Sequence, residues 1–257
     1  MVWIERRVYA GDILEIETYQ AARDGRKVSR SENRAETDKG QAARNEKYSQ
    51  KHLTRLVNAN FGASDLWLTL SYAPPAPEMD QALKDRARYL RKVRAWRRGR
   101  GMPELKYIAV TTTERDTRRI HHHILMSKMP MEDAVALWGL GRVQLEQMTP
   151  DAEHSWLARY IFRNRQGRAE PEAPRDKIPQ KRRWSQSRNL TQPIVCIKRG
   201  VKPLRLTRAP HIPRGYKMLD LQRCASDAGD LSEYIQLRRV DGKPNRPPRG
   251  WSAPRNG

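Results

Sequence analysis

The chain has 257 residues, enough for one sizeable core with extensions or two small domains. Lys and Arg number 51 against 29 Asp and Glu, a formal charge of +22, which disfavours a basic partner and points to a polyanion, nucleic acid first. A membrane is the less expected partner because no apolar run nears the roughly 18 residues a spanning helix requires, charges interrupt the N-terminal apolar runs, and Cys196 and Cys224 make neither a disulfide framework nor a CxxC site.

In chain order, Val2 to Tyr19 alternate loosely and predict a short hairpin around Ala10-Gly11-Asp12. Ala21 to Gly40 are polar and charged, so a mobile loop is expected. Tyr48, Leu53, Leu56 and Val57 fall near helical spacing in Asn45 to Asn60, with basic residues between them, which predicts an amphipathic helix. Asp65 to Tyr72, almost wholly apolar or β-branched, reads as a central strand that Ala73-Pro74-Pro75-Ala76-Pro77 stops. Gln81 to Arg98 predicts a long helix with Leu83, Ala87, Leu90, Val93 and Trp96 on its apolar stripe. Its other face carries, among other bases, Arg91, Arg94, Arg97 and Arg98. Such a face is either solvated or a phosphate-binding surface.

Lys106 to Lys128, KYIAVTTTERDTRRIHHHILMSK, reads as a β-hairpin with a polar turn from Glu114 to Arg119. Alternation along the second strand puts His121 and His123 on one face and His122 on the other. Two imidazoles on one face can share a divalent cation, and Glu114 or Asp116 can complete its shell. The bland alternative is a polar strand edge.

Met131 to Trp138 predict a helix that Gly139-Leu140-Gly141 breaks, and Arg142 to Glu146 a short strand. Thr149-Pro150-Asp151 caps a helix through Asn164. On it Tyr160 shares a face with Trp156 and is flanked by Arg159 and Arg163. Tyr160 either packs beside Trp156 or is a nucleophile whose phenolate the guanidinium groups favour. Arg165 to Arg183 predict a loop, and Arg182, Arg183, Trp184 and Arg188 mix bases with an aromatic ring in a pattern suited to gripping single-stranded nucleic acid. Ile194 to Ile197, Gly215 to Leu221 and Tyr234 to Val240 are late strand candidates, and Asp241 to Gly257 read as a disordered basic tail. The expected organisation is an extension over 1–60, one domain over 61–240 and the tail. Its order of strand, helix, hairpin, helix, strand and helix fits an α+β fold with helices packed on an antiparallel sheet.

RIHHHIL resembles the histidine motif of the HUH endonucleases, and the chain resembles rolling-circle replication initiators of the filamentous-phage gene II and plasmid type. LTRLVNANFGASDLWLTLSY, KYIAVTTTERDTRRIHHHILM, WLARYIFRN and RRWSQSRNLTQP carry the resemblance in order, from Asn45 to Pro193. It implies a ferredoxin/RRM-like nuclease fold, Mg²⁺ or Mn²⁺ on His121, His123 and Glu114 (Asp116 being the alternative acid), and Tyr160 as nucleophile. Arg163 stands where the family often has a lysine. The implied activity is nicking and rejoining of single-stranded or supercoiled origin DNA through a phosphotyrosine link, in the cytoplasm. No GxxxxGK[ST] motif occurs, so host helicase and polymerase are the expected partners. The alternatives are a transposase or mobilisation relaxase with the same chemistry, and a non-enzymatic nucleic-acid-binding protein of similar fold.

Overall fold

The computed structural model describes residues 1–21, 39–113, 119–148, 157, 184–225 and 231–248. The chain divides into two compact units, Asn60–Thr191 and a second made of Met1–Ala59 with Gln192–Gly257. Each is organised on a five-stranded sheet whose paired strands are all antiparallel. The α+β expectation is therefore borne out.

The central unit holds β3 (Leu66–Ser71), α2 (Met79–Arg98), β4 (Tyr107–Thr113), β5 (Ile120–Met126), α3 (Met131–Ala136), β6 (Val143–Gln147) and β7 (Ser185–Gln186). Strand order is β6-β3-β5-β4-β7. β3 and β5 lie inside the sheet, which is why both read as nearly continuous apolar runs. Leu66, Leu68 and Leu70 of β3 meet Ala109 of β4 and Ile124 and Met126 of β5 in one core. Tyr89, Leu90 and Val93 of α2 pack into the same cluster with Trp138. The buried side of α2 is Ala82, Asp85, Tyr89, Leu90, Val93 and Arg97. That is a rotation of the predicted stripe: Ala87 is exposed and Leu83 half-buried. The shift arises because two polar residues join the buried side with partners. Gln81 donates to Asp85 at 2.9 Å, and Arg97 donates to the carbonyls of Pro103 and Lys128 at 2.9 and 2.8 Å.

The terminal unit holds β1 (Val2–Ala10), β2 (Ile13–Ala21), nearly all of α1 (Lys39–Asn60), β8 (Ile194–Arg199), β9 (Tyr216–Ala225) and β10 (Leu231–Arg239). Its order is β8-β1-β2-β10-β9. Of the late strands, β8 and β10 thus pair with the N-terminal hairpin and β9 with β10, none of them with the histidine strand. Tyr9, Leu14, Ile16, Cys196, Ile235 and Leu237 form the core of one face. On α1, Leu53, Leu56 and Val57 are buried as predicted, but Tyr48 is 68% exposed and lies off that face. The Arg55 guanidinium donates to Glu15 and Glu17, and Lys51 donates to Glu17 at 3.1 Å, tying α1 to β2.

The predicted tail begins in an ordered segment. Asn245 donates to the carbonyls of Gly11 and Ile13, each at 2.9 Å, and accepts from the Tyr216 hydroxyl at 2.6 Å. Residues 249–257, the expected loop over 22–38, and all but Leu157 of the predicted 151–164 helix lie outside the described residues. Leu157 itself is helical and fully buried. Among the described residues no helix is long and apolar enough to cross a membrane.

Gly11 makes the β1–β2 turn at φ +56°, and a Cβ there would be driven into the Asn58 carbonyl. Gly11→Ala is expected to cost on the order of 2 kcal/mol or more, read as a lower midpoint in chemical denaturation.

Burial alone would raise the Glu17 carboxyl, but the Arg6 hydrogen bond and the Lys51 charge outweigh it and hold the group below the ordinary value. A carboxyl depressed in the folded state stabilises above its unfolded pKa, and that contribution is lost as pH falls through the folded one. Melting scans at falling pH should therefore show a steeper acid loss for the wild type than for Glu17→Gln.

Candidate functional site

The site is built on β5. Because β5 runs between β3 and β4, each histidine has two cross-strand neighbours. His121 lies opposite Ser71 and Thr112, His122 opposite Leu70 and Thr111, and His123 opposite Thr69 and Val110. Alternation separates them as expected, and the two faces differ in character.

His122 is fully buried. Its Nε2 lies 2.9 Å from the Tyr72 hydroxyl and its Nδ1 2.9 Å from Thr111 Oγ1, which also accepts from Arg86 at 2.7 Å. A chain running Arg86 to Thr111 to His122 to Tyr72 to the Ala82 carbonyl gives each polar hydrogen an acceptor. Burial, then the charges of Arg86, His121 and His123, push this imidazole down to about 3, so it stays neutral. Trp138 meets the ring edge-on at 5.7 Å. His122 is thus a core histidine with both nitrogens engaged.

His121 and His123 share the other face, ring centroids 4.8 Å apart and planes at 84°. Thr112 Oγ1 lies 2.8 Å from Nε2 of His121, and Thr69 Oγ1 lies 3.0 Å from Nδ1 of His123. Trp67 stacks parallel to His123 at 5.4 Å and 3°. Hydroxyl and indole together fix the His123 ring. Each threonine thus engages one nitrogen of its ring, Nε2 of His121 and Nδ1 of His123. Burial, then the His121 charge, pushes His123 down to about 3. A neutral imidazole is the form a metal requires. Two braced imidazoles, one of them held neutral by burial, fit part of a divalent-cation shell. Among the described residues no group of three or more His, Cys, Asp and Glu completes one. Glu114 and Asp116, the predicted acids, lie outside the described residues, as do Tyr160, Arg159, Arg163, Arg182 and Arg183.

The remaining predicted residues divide. Arg91, Arg98 and Arg188 are exposed. Arg94 is half-buried, its guanidinium 5.3 Å from the Tyr107 ring centroid. Arg97 is a correction: only 3% exposed, it is turned inward onto two carbonyls and presents no charge to a strand. Trp184 is half-buried and donates to Gln186 at 2.7 Å. The two residues after it form edge strand β7, and just beyond that strand the Ser187 amide donates to the Tyr107 carbonyl at 3.0 Å. Sequence reasoning missed Thr69, Thr112 and Trp67. Their signal was alternation in β3 and β4, legible only once the partner strand of each is known.

Residues 65–165 match the family model for replication-associated proteins of the ORF2 and gene II protein type. That is the family its motifs resembled. No curated protein and no solved structure matches the chain. The matched stretch runs from the start of β3 past β6 and includes all three histidines. It also includes Tyr160. The terminal sheet and β7 fall outside it.

Tyr72→Phe removes the hydroxyl at Nε2 of His122 and leaves a buried ring nitrogen unsatisfied. The expected loss is about 1–3 kcal/mol in urea denaturation, with His121 and His123 still paired on the opposite face.

Proposed function

We propose that the protein starts rolling-circle replication by nicking one strand of origin DNA and later rejoining it. The observation that carries this reading is the pair of imidazoles, His121 and His123, braced on one face of β5 within the replication-associated stretch. His121 and His123, with Glu114 or Asp116, are the residues to hold Mg²⁺ or Mn²⁺. Bound there, the cation supplies positive charge to a scissile phosphate. Tyr160 is the nucleophile. Its phenolic oxygen forms a bond to phosphorus as the bond from phosphorus to the 3′-oxygen breaks. The phenol loses its proton and the departing 3′-oxygen gains one. Arg159 and Arg163 neutralise phosphate charge. The 5′-phosphotyrosine link conserves the phosphodiester for rejoining, and the free 3′-hydroxyl primes synthesis by a host polymerase behind a host helicase in the cytoplasm. The exposed Arg91 and Arg98 of α2 and Arg188 contact the strand backbone.

The test is an oligonucleotide assay with single-stranded origin candidates and Mg²⁺ or Mn²⁺. Wild type should give a covalent protein–DNA adduct that Tyr160→Phe abolishes. An adduct that survives in that variant refutes Tyr160, and binding without cleavage under any metal favours a non-enzymatic binding protein. Thr69→Val, which unbraces His123, should weaken metal affinity by about 10- to 100-fold, measured by metal titration.

A further inference from the structure

The terminal unit carries a cleft of about 800 Å³ between one face of its sheet and the segment 200–211. Its floor is a row of residues in register across all five strands: Lys198, Glu5, Thr18, Glu233 and Arg223. The two carboxylates in that row are already matched. Glu5 accepts from Arg7 at 2.6 Å and Glu233 from Arg223 at 2.7 Å. Lys202, Arg205 and Arg208 line the wall, and among the described residues no carboxylate pairs with them. From Gln192 to Lys217 the chain has seven Lys and Arg and no Asp or Glu.

The wall is held in place. The amides of Gly200 and Val201 donate to the Trp3 carbonyl at 2.8 and 3.3 Å. Arg223 reaches from the floor to the carbonyls of Leu206 and Arg208. The basic side chains are therefore carried on a segment tied to the sheet at two points, which lowers the ordering cost of binding.

We propose that this cleft is a second nucleic-acid site that holds the phosphate backbone of a single strand. Lys202, Arg205 and Arg208, with no carboxylate partner among the described residues, call for a polyanion. The recess suits a flexible single strand, whereas a duplex presents its phosphates on a stiff convex cylinder that cannot enter it. Among the described residues no Phe, Tyr or Trp lines the cleft, so stacking contributes nothing and the grip is on phosphates with little sequence preference. The site lies outside the stretch that matches the replication-associated family and does not rest on the nicking chemistry.

The test compares the full chain with K202Q/R205Q/R208Q and the charge-preserving K202R/R205K/R208K, each checked by thermal melting. Binding of a fluorescent mixed-sequence single-stranded oligonucleotide is measured against salt, and hydrogen exchange of 200–211 is followed with and without it. Three lost phosphate contacts should lower the slope of log affinity against log salt by about 2. The charge-preserving variant should keep the wild-type slope, and the strand should protect 200–211. Equal slopes for wild type and the neutral variant overturn the proposal, as does protection by duplex or by polyglutamate equal to that by the single strand. If the neutral variant does not fold, wild-type protection of 200–211 decides alone. His121→Ala should leave that protection intact, so a failure of nicking and a failure of this site are read separately.

Discussion

The pairing of β5 between β3 and β4 is the constraint on which the central unit depends. A strand with hydrogen-bonded neighbours on both sides cannot slip by one residue without exchanging its faces. That register sends His122 into the core beneath α2 and keeps His121 and His123 together on the opposite face. The same register delivers Thr69 and Thr112 to those two imidazoles. One backbone arrangement therefore sets burial and ring orientation at once.

The three histidines show how one side-chain type takes two roles by placement alone. His122 is enclosed by Tyr72, Thr111 and Trp138, and its hydrogen-bond capacity is consumed internally. His123 is equally buried, yet it lies on the other face, its Nδ1 held by Thr69 and its ring beside that of His121. Burial keeps His122 and His123 neutral for the same reason, the cost of desolvating a charge. In one case neutrality serves packing; in the other it suits metal ligation.

The basic surplus also divides by placement. Arg97 and Arg55 are drawn inward, where carbonyls or carboxylates compensate their desolvation. Arg91, Arg98, Lys202, Arg205 and Arg208 remain at the surface of their units. Net charge therefore indicates a polyanionic partner without saying which cations meet it.

Local periodicity was enough to reveal the hairpin of the histidines, the helices α1 and α2, the strand β3 and the split of alternate imidazoles, because each depends on residues a few positions apart. What it could not reveal depends on contacts distant in sequence. Arg97 reads as one more base on a polar face until the carbonyls of Pro103 and Lys128 surround it. The late strand candidates carry no mark of their neighbours until the pairing of β8 with β1 and of β10 with β2 is seen. The Thr69 and Thr112 braces follow from strand neighbours that no local pattern specifies. Sequence sets which face a side chain takes on its own strand or helix; only tertiary pairing decides what lies opposite, because register and burial are properties of the assembled chain.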